Sequence, residues 1–296
     1  MKVVIITGIS GSGKSIAVKA LEDQGYYCID NLPLRFLQEV VVSLQENDLS
    51  QVAVAIDARS GDIRDLRQIV QGLSRFGHDV KVIFLNARDD VLVHRYSESR
   101  RRHPLALSLP PGSEPPALIE SIAGERELMA DMLEIGAALD TSDLHPNIMR
   151  QWLLDTVQAE RTPLTLVFQS FAYKVGIPLD ADLVFDVRCL PNPHYDSTLR
   201  RLTGRDDAVH RYFVERPVVA DMLDDIEAFL NRWLPSYMIE QRSYLTVAIG
   251  CTGGQHRSVY CAERLADRFR TRESVLVRHR GIEMRALSSL TTAQTP

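Results

Sequence analysis

Cysteine is scarce and scattered in this chain. Cys28, Cys189, Cys251 and Cys261 form no Cys-x-x-Cys pair, which excludes the spacing of a zinc site or a disulfide framework and fits a reducing compartment. Long apolar runs are missing too: no stretch reaches the roughly 20 apolar residues that a membrane helix needs. The first apolar run, residues 1–6, leads straight into glycines and is too short for a signal peptide. A cytoplasmic protein with no membrane partner is expected. Positive charge is not in excess either. Lys and Arg number 34 against 39 Asp and Glu, a net charge of -5, so the chain as a whole is not an electrostatic nucleic-acid binder and any such role needs a local basic patch. No internal repeat or heptad pattern is present. The remaining composition, 45% apolar and 25% charged over 296 residues, is that of a globular protein long enough for two domains.

Short β-branched runs alternate with helical patterns. Residues 3–7, 26–29, 52–56, 80–85 and 137–140 read as strands, separated by helices over 15–24, 34–46, 89–102, 119–133 and 146–158. A Pro-rich loop at 104–116 interrupts the pattern. A break near residues 159–163 divides a domain 1–158 from a domain 163–296. In the second, 164–169, 183–187 and 244–249 read as strands, with 275–277 a further candidate, and helices are expected over 218–233 and 258–270. The fold class expected is α/β: an N-terminal P-loop, kinase-like parallel sheet and a C-terminal α/β domain.

The strand at 3–7 runs into Gly8, Ile9, Ser10, Gly11, Ser12, Gly13, Lys14 and Ser15, which match the P-loop pattern at every fixed position. Glycines let backbone N–H groups turn inward around phosphate oxygens, and the helix that follows presents its positive end. Lys14 then reaches the β- and γ-phosphates and Ser15 offers its hydroxyl to Mg²⁺. Asp57, at the end of the third strand, is the candidate second metal ligand. Asp30 ends the second strand, where it either orients an acceptor hydroxyl or forms an Asx turn before Pro33. Arg95, Arg100, Arg101 and Arg102 form either a lid over the transferring phosphate or a solvated face paired with Glu98 and Asp90.

Near the C-terminus the arrangement recurs. A strand delivers Gly250-Cys251-Thr252-Gly253-Gly254-Gln255-His256-Arg257-Ser258 to a helix start, a second anion site in which Arg257 can fork onto phosphate or carboxylate. The Cys-x5-Arg-Ser spacing is also that of cysteine phosphatases, with Asp186 or Asp196 as a general acid, and the alternative is a tight turn with Arg257 in a salt bridge. Asp186, Arg188 and His194 flank another strand end, where ligands of open α/β sheets collect. From Arg264 to Arg285 seven arginines face Asp267, Glu273 and Glu283, with His279 among them. This stripe suits phosphate-backbone contact with RNA or DNA, and equally a solvated helix and edge strand.

Taken together, Gly8 to Ser15, Asp30-Asn31-Leu32-Pro33, Arg100-Arg101 with His103-Pro104-Leu105, Val184 to Arg188, Leu190 to His194, Arg242 to Gly254 and His256 to Tyr260 resemble the RapZ family of bacterial nucleotide-binding proteins, the RNase adapters, over nearly the full length. The resemblance implies ATP at the P-loop, GTP at Asp57, Ala58, Arg59 and Ser60, and weak ATPase and GTPase activity with Lys14 and Ser15 as catalytic groups. It also implies a phosphofructokinase-like C-terminal domain in which Asp186, Arg188, His194, Thr252, Gly253, His256 and Arg257 bind glucosamine-6-phosphate. Small regulatory RNA presented to an endoribonuclease, with Arg270, Arg272, Arg278, His279, Arg280 and Arg285 as its contacts, and homo-oligomeric assembly complete the implied picture. The basic C-terminus of RNA-binding members is thinner here, ending in an uncharged extension. A small-metabolite kinase, with Asp30 placing the acceptor, is the competing function.

Overall fold

A computed structural model describes residues 1–58, 65–107, 116–159, 164–240 and 242–282. The chain divides into two units: Met1–Ser142 with Met149–Val157, and Asp143–Ile148 with Gln158–Pro296. Each is a parallel-sheet α/β unit with its own core.

In the first unit, β1 (Lys2–Gly8), β2 (Tyr27–Ile29), β3 (Gln51–Ala55), β4 (Asp79–Asn86) and β5 (Ala137–Asp140) form one all-parallel sheet in the order β2-β3-β1-β4-β5. β1 is central and covered on both faces, which is why Val3, Val4, Ile5 and Ile6 are a continuous apolar run rather than an alternating one. The helices are α1 (Lys14–Glu22), α2 (Leu37–Glu46), α3 (Leu66–Arg75), α4 (Asp89–Ser99), the single turn α5 (Pro104–Leu107), α6 (Leu118–Met129) and all but the ends of α7 (Pro146–Gln158). Because every strand runs the same way, Gly8, Asp30, Asp57, Asn86 and Asp140 all fall at or just beyond carboxyl ends.

The second unit holds β6 (Thr165–Ala172), β7 (Leu183–Asp186), β8 (Tyr244–Cys251) and β9 (Ser274–His279) in the parallel order β7-β8-β6-β9. β6 is buried throughout. Its helices are α8 (Asp207–Val214), α9 (Pro217–Ile239) and α10 (Arg257–Phe269). Leu166, Phe168, Val247 and Ile249 of the sheet meet Leu223, Ile226, Leu230, Leu265 and Phe269 of the helices in one apolar cluster. Among the described residues no helix is long and apolar enough to cross a membrane.

Candidate functional site

Three glycines shape the turn between β1 and α1. Gly8, Gly11 and Gly13 have φ of 134°, 88° and 111°, values that side chains disfavour. The consequence is a division among the loop's donors. Ile9 N–H donates to the Leu85 carbonyl at 3.1 Å, Ser12 N–H to the Ile9 carbonyl at 3.0 Å and Ser10 N–H to the Glu125 carboxylate at 2.8 Å. Among the described residues, the N–H groups of Gly11, Gly13 and Ser15 find no acceptor. They are the open set at the positive end of α1, where a helix favours an anion. Lys14 donates to the Gly8 carbonyl from its own loop. Ser12 Oγ is buried without a hydrogen-bond partner among the described residues, and Ser15 is exposed.

Asp57 is buried just past β3 and Ala58 is half-buried; Arg59 and Ser60 lie outside the described residues. Asp30 is exposed, and among the described residues no side-chain hydrogen bond of an Asx turn holds it. The two readings of the arginine cluster separate. Asp90 pairs with Arg88 and Glu98 with His94, while Arg100, Arg101 and Arg102 are exposed without an ion pair among the described residues. Arg95 is no lid residue. It donates to the Gly11 carbonyl at 3.1 Å and the Thr141 carbonyl at 2.7 Å and so braces the loop.

Sequence reasoning missed Glu125. Both its oxygens are taken by Ser10, Oε2 by the N–H at 2.8 Å and Oε1 by the hydroxyl at 2.7 Å, and Oε2 also meets His103 Nε2 at 3.2 Å. Burial raises the carboxyl's pKa, but the His103 bond, the Lys14 charge and the Ser10 donors outweigh it and hold it below the usual range. The available signal was a carboxylate within the buried helical stripe Ser121, Ile122, Glu125 and Met129.

In the second unit, β8 ends at Cys251 and α10 begins at Arg257. Gly250 is obligatory because a Cβ there would lie 2.4 Å from the Phe171 ring. The donors of this loop divide as well. The N–H groups of Gly254, Gln255 and Ser258, with the Ser258 hydroxyl at 3.1 Å, serve Cys251 Sγ. Burial pushes that thiol up, yet these bonds outweigh it and bring it below its ordinary value. Thr252, Gly253 and Arg257 keep N–H groups without an acceptor among the described residues. Arg257 is buried; its NH1 donates to the carbonyls of Arg188 at 2.8 Å and Leu190 at 3.2 Å, NH2 lies 3.5 Å from Thr252 Oγ1, and Nε has no partner among the described residues. Arg188 forks onto Asp186 and lies over the Tyr173 ring at 4.0 Å. The Arg188 bond holds the Asp186 carboxyl below its usual range. Exposed His194 stands 6.5 Å from the ring of buried His256, which meets the Leu199 carbonyl at 3.1 Å. These contacts link Asp186, Arg188, Thr252 and Arg257, and set His194 beside His256. The phosphatase arrangement fares less well: Cys251 is 3% exposed, Asp186 is committed to Arg188, and Asp196 caps Thr198.

Against known families, residues 1–161 match the model of the RapZ-like N-terminal domain and residues 164–283 that of the RapZ C-terminal domain. The chain belongs to the RapZ family. A nucleotide-binding protein of Bordetella pertussis is 56% identical over 281 residues, 95% of this chain and 97% of that protein. One of Aromatoleum aromaticum is 54% identical over 287 residues, 96% of each chain. Among solved structures, a shikimate kinase from Bacteroides thetaiotaomicron aligns at 17% identity and a TM-score of 0.36 over 53% of this chain and 96% of its own. A gluconokinase from Sinorhizobium meliloti aligns at 16% identity and 0.35 over 53% and 91%.

In this RapZ-family chain the terminal basic stripe is not one exposed face. Arg270 and Arg272 are exposed but engaged, Arg270 with Asp267 and Arg272 with Glu227 at 3.1 Å. Arg278, His279 and Arg280, expected as RNA contacts, are buried. The reason is the register of β9: His279 pairs with Ser170 of central β6, and a Cβ on Gly281 would lie 2.6 Å from the Gly254 carbonyl. The arginines are drawn in at the carboxyl end of the sheet. Arg285 lies outside the described residues.

Proposed function

We propose that the first glycine loop binds ATP, its phosphates received by the N–H groups of Gly11, Gly13 and Ser15. Those three open donors at the start of α1 are the observation that carries the reading. Lys14 adds a positive charge for the β- and γ-phosphates. The relatives' names as nucleotide-binding proteins support the same view. Mg²⁺ fits the donors on hand: the Ser15 hydroxyl and the Asp57 carboxylate are hard oxygens, and Mg²⁺ keeps several waters, so it does not require a protein cluster of three acids. Its contribution would be to neutralise charge on the phosphates. Slow ATP and GTP hydrolysis belongs to this reading, with GTP carried to Asp57, Ala58, Arg59 and Ser60 by the family resemblance.

The second loop, in this reading, senses a phosphorylated sugar of the glucosamine-6-phosphate kind. Its phosphate meets the N–H groups of Thr252, Gly253 and Arg257, and the Asp186–Arg188 pair on Tyr173 offers charge to the amino and hydroxyl groups. The whole is a cytoplasmic regulatory adapter, a homo-oligomer that passes small RNA to an endoribonuclease. RNA contact falls to Arg270 and Arg272 rather than to the buried Arg278, His279 and Arg280.

A second reading, a small-metabolite kinase, draws on exposed Asp30 beside the loop strands and on Arg100 to Arg102. One experiment addresses both. Calorimetry with Mg-ATP should show binding that Lys14→Ala abolishes; equal affinity in the variant sinks the nucleotide site. Incubation with Mg-ATP and a panel of hydroxyl metabolites should yield no stoichiometric phosphorylated product; such a product selects the kinase.

A further inference from the structure

The loop's geometry is set from behind by a buried carboxylate. Glu125 and His103 side chains are each only 1% exposed, and a charge so placed is costly unless every lone pair is used. Here they are used on one target. Both Ser10 donors end on Glu125, so Ser10 is spent and offers nothing to a phosphate. Two residues of α4 close the other side: Arg95 donates to the Gly11 carbonyl at 3.1 Å, and a Cβ on Gly11 would lie 3.2 Å from the Tyr96 ring. The peptide units on either side of Ser10–Gly11 are therefore both pinned, and the Gly11 N–H between them is fixed in direction. The same carboxylate meets His103, whose Nδ1 accepts the Leu105 N–H at 3.3 Å and whose ring lies 5.4 Å from Tyr96. His103 directly follows the exposed Arg100, Arg101 and Arg102.

Resting on the nucleotide reading above, we propose that Glu125 is a positioning residue for phosphate binding: it holds Ser10 so that the neighbouring amides face the ligand, and through His103 it anchors the foot of the arginine segment to the same loop. A hydrophobic residue of similar volume would fill the space and remove the desolvation cost, but it would leave two Ser10 donors unsatisfied and the loop free to turn. The charge-assisted bonds make one loop conformation the stable one before any ligand arrives, and preorganisation of this kind is read out as affinity.

The test uses the full chain. Glu125→Gln turns one acceptor towards Ser10 into a donor, and Mg-ATP affinity by calorimetry should fall about ten-fold, the loss of one charge-assisted bond. Ser10→Ala, which removes only the hydroxyl bond, should cost about three-fold. His103→Gln keeps a donor for Glu125 and should retain most of the affinity, whereas His103→Leu should lose it. A structural role alone would not produce the pH signature: in the wild type, affinity should hold through the usual carboxylate range and decline only below it, where Glu125, held down by His103, Lys14 and Ser10, takes up a proton, and in Glu125→Gln that component should vanish. Wild-type affinity with an unchanged pH profile in Glu125→Gln overturns the inference alone. A wild-type chain that binds no Mg-ATP overturns the nucleotide reading and this inference with it. Should Glu125→Gln not fold, Ser10→Ala decides: an affinity equal to wild type overturns the inference.

Discussion

Arg257 serves two purposes that pull on different atoms. Its NH1 clasps the carbonyls of Arg188 and Leu190 and so closes the loop after β7 onto the loop after β8, while its NH2 lies 3.5 Å from Thr252 Oγ1 and its backbone N–H finds no acceptor among the described residues. Removing the side chain therefore does two things at once. It leaves two buried-side carbonyls to water, at about 1–3 kcal/mol of stability, and it deletes the cationic part of the anion site. Arg257→Ala should lose glucosamine-6-phosphate binding by calorimetry. Arg257→Lys keeps a charge but offers one nitrogen, which cannot hold the two carbonyls and face an anion as well, and should bind about ten-fold more weakly. Wild-type affinity in Arg257→Ala would remove the sugar-phosphate reading of this loop. The reading of Arg257 as an anion contact comes from its place after a glycine loop at a helix start. Its hold on Arg188 and Leu190 was not legible there, because those partners are 69 and 67 positions away and no local pattern encodes them.

Elements were legible to the extent that their burial is periodic. β1 and β8 are mainly apolar runs and lie where the pattern places them, whereas β6 runs on to Ala172, three residues past its expected end, because Gln169 and Ser170 are polar yet buried in it. α3 was missed because Gly72 stands mid-helix, a residue that propensity counts against a helix. α9 runs six residues past its expected end because Pro235 is carried inside it. The candidate strand at 275–277 is the middle of β9, and its importance lies at its end. There His279 Nδ1 meets Ser170 Oγ on β6 at 2.8 Å, and Nε2 meets Glu263 on α10 at 3.0 Å, with Arg205 on the same carboxylate at 2.7 Å. The His279 bond is the chief cause that brings Glu263 down to about 2, and burial lowers the imidazole. Both shifts act in one direction. Below about pH 6.5 the unfolded chain protonates its histidine and the folded one resists; below about pH 4.5 the unfolded chain protonates its glutamate and the folded one again resists. The contribution is complete above these values and is lost as pH falls towards 2. Glu263→Gln should lower the stability of the second unit by about 3 kcal/mol at neutral pH and flatten its acid-unfolding curve between pH 5 and 3, followed by circular dichroism. An unchanged curve would mean that the β6–α10–β9 link bears no charge-dependent stability.

At the scale of the whole molecule, the same physical solution occurs twice in unrelated stretches of sequence: a parallel strand, a glycine turn and a helix start. What differs is who uses the amides. In the first loop the back-facing donors of Ile9, Ser10 and Ser12 are consumed by the protein and those of Gly11, Gly13 and Ser15 are left open. In the second, Cys251 Sγ takes Gly254, Gln255 and Ser258, and Thr252, Gly253 and Arg257 are left. Sequence alone marked both loops but could not make this division, because it depends on Glu125, Leu85 and a strand-end thiol, each brought in by the fold. The division yields a footprint that can be read amide by amide. Hydrogen exchange of the full chain with Mg-ATP should slow Gly11, Gly13 and Ser15 while leaving Ile9 and Ser10, already bonded, nearly unchanged. Glucosamine-6-phosphate should slow Thr252 and Gly253 and spare the first loop. If ATP instead slows Thr252 and Gly253, the assignment of triphosphate to one cradle and sugar phosphate to the other is reversed. If neither ligand slows any of the open amides, their lack of acceptors has a cause other than ligand binding, because an N–H that receives a phosphate oxygen cannot go on exchanging at its free rate.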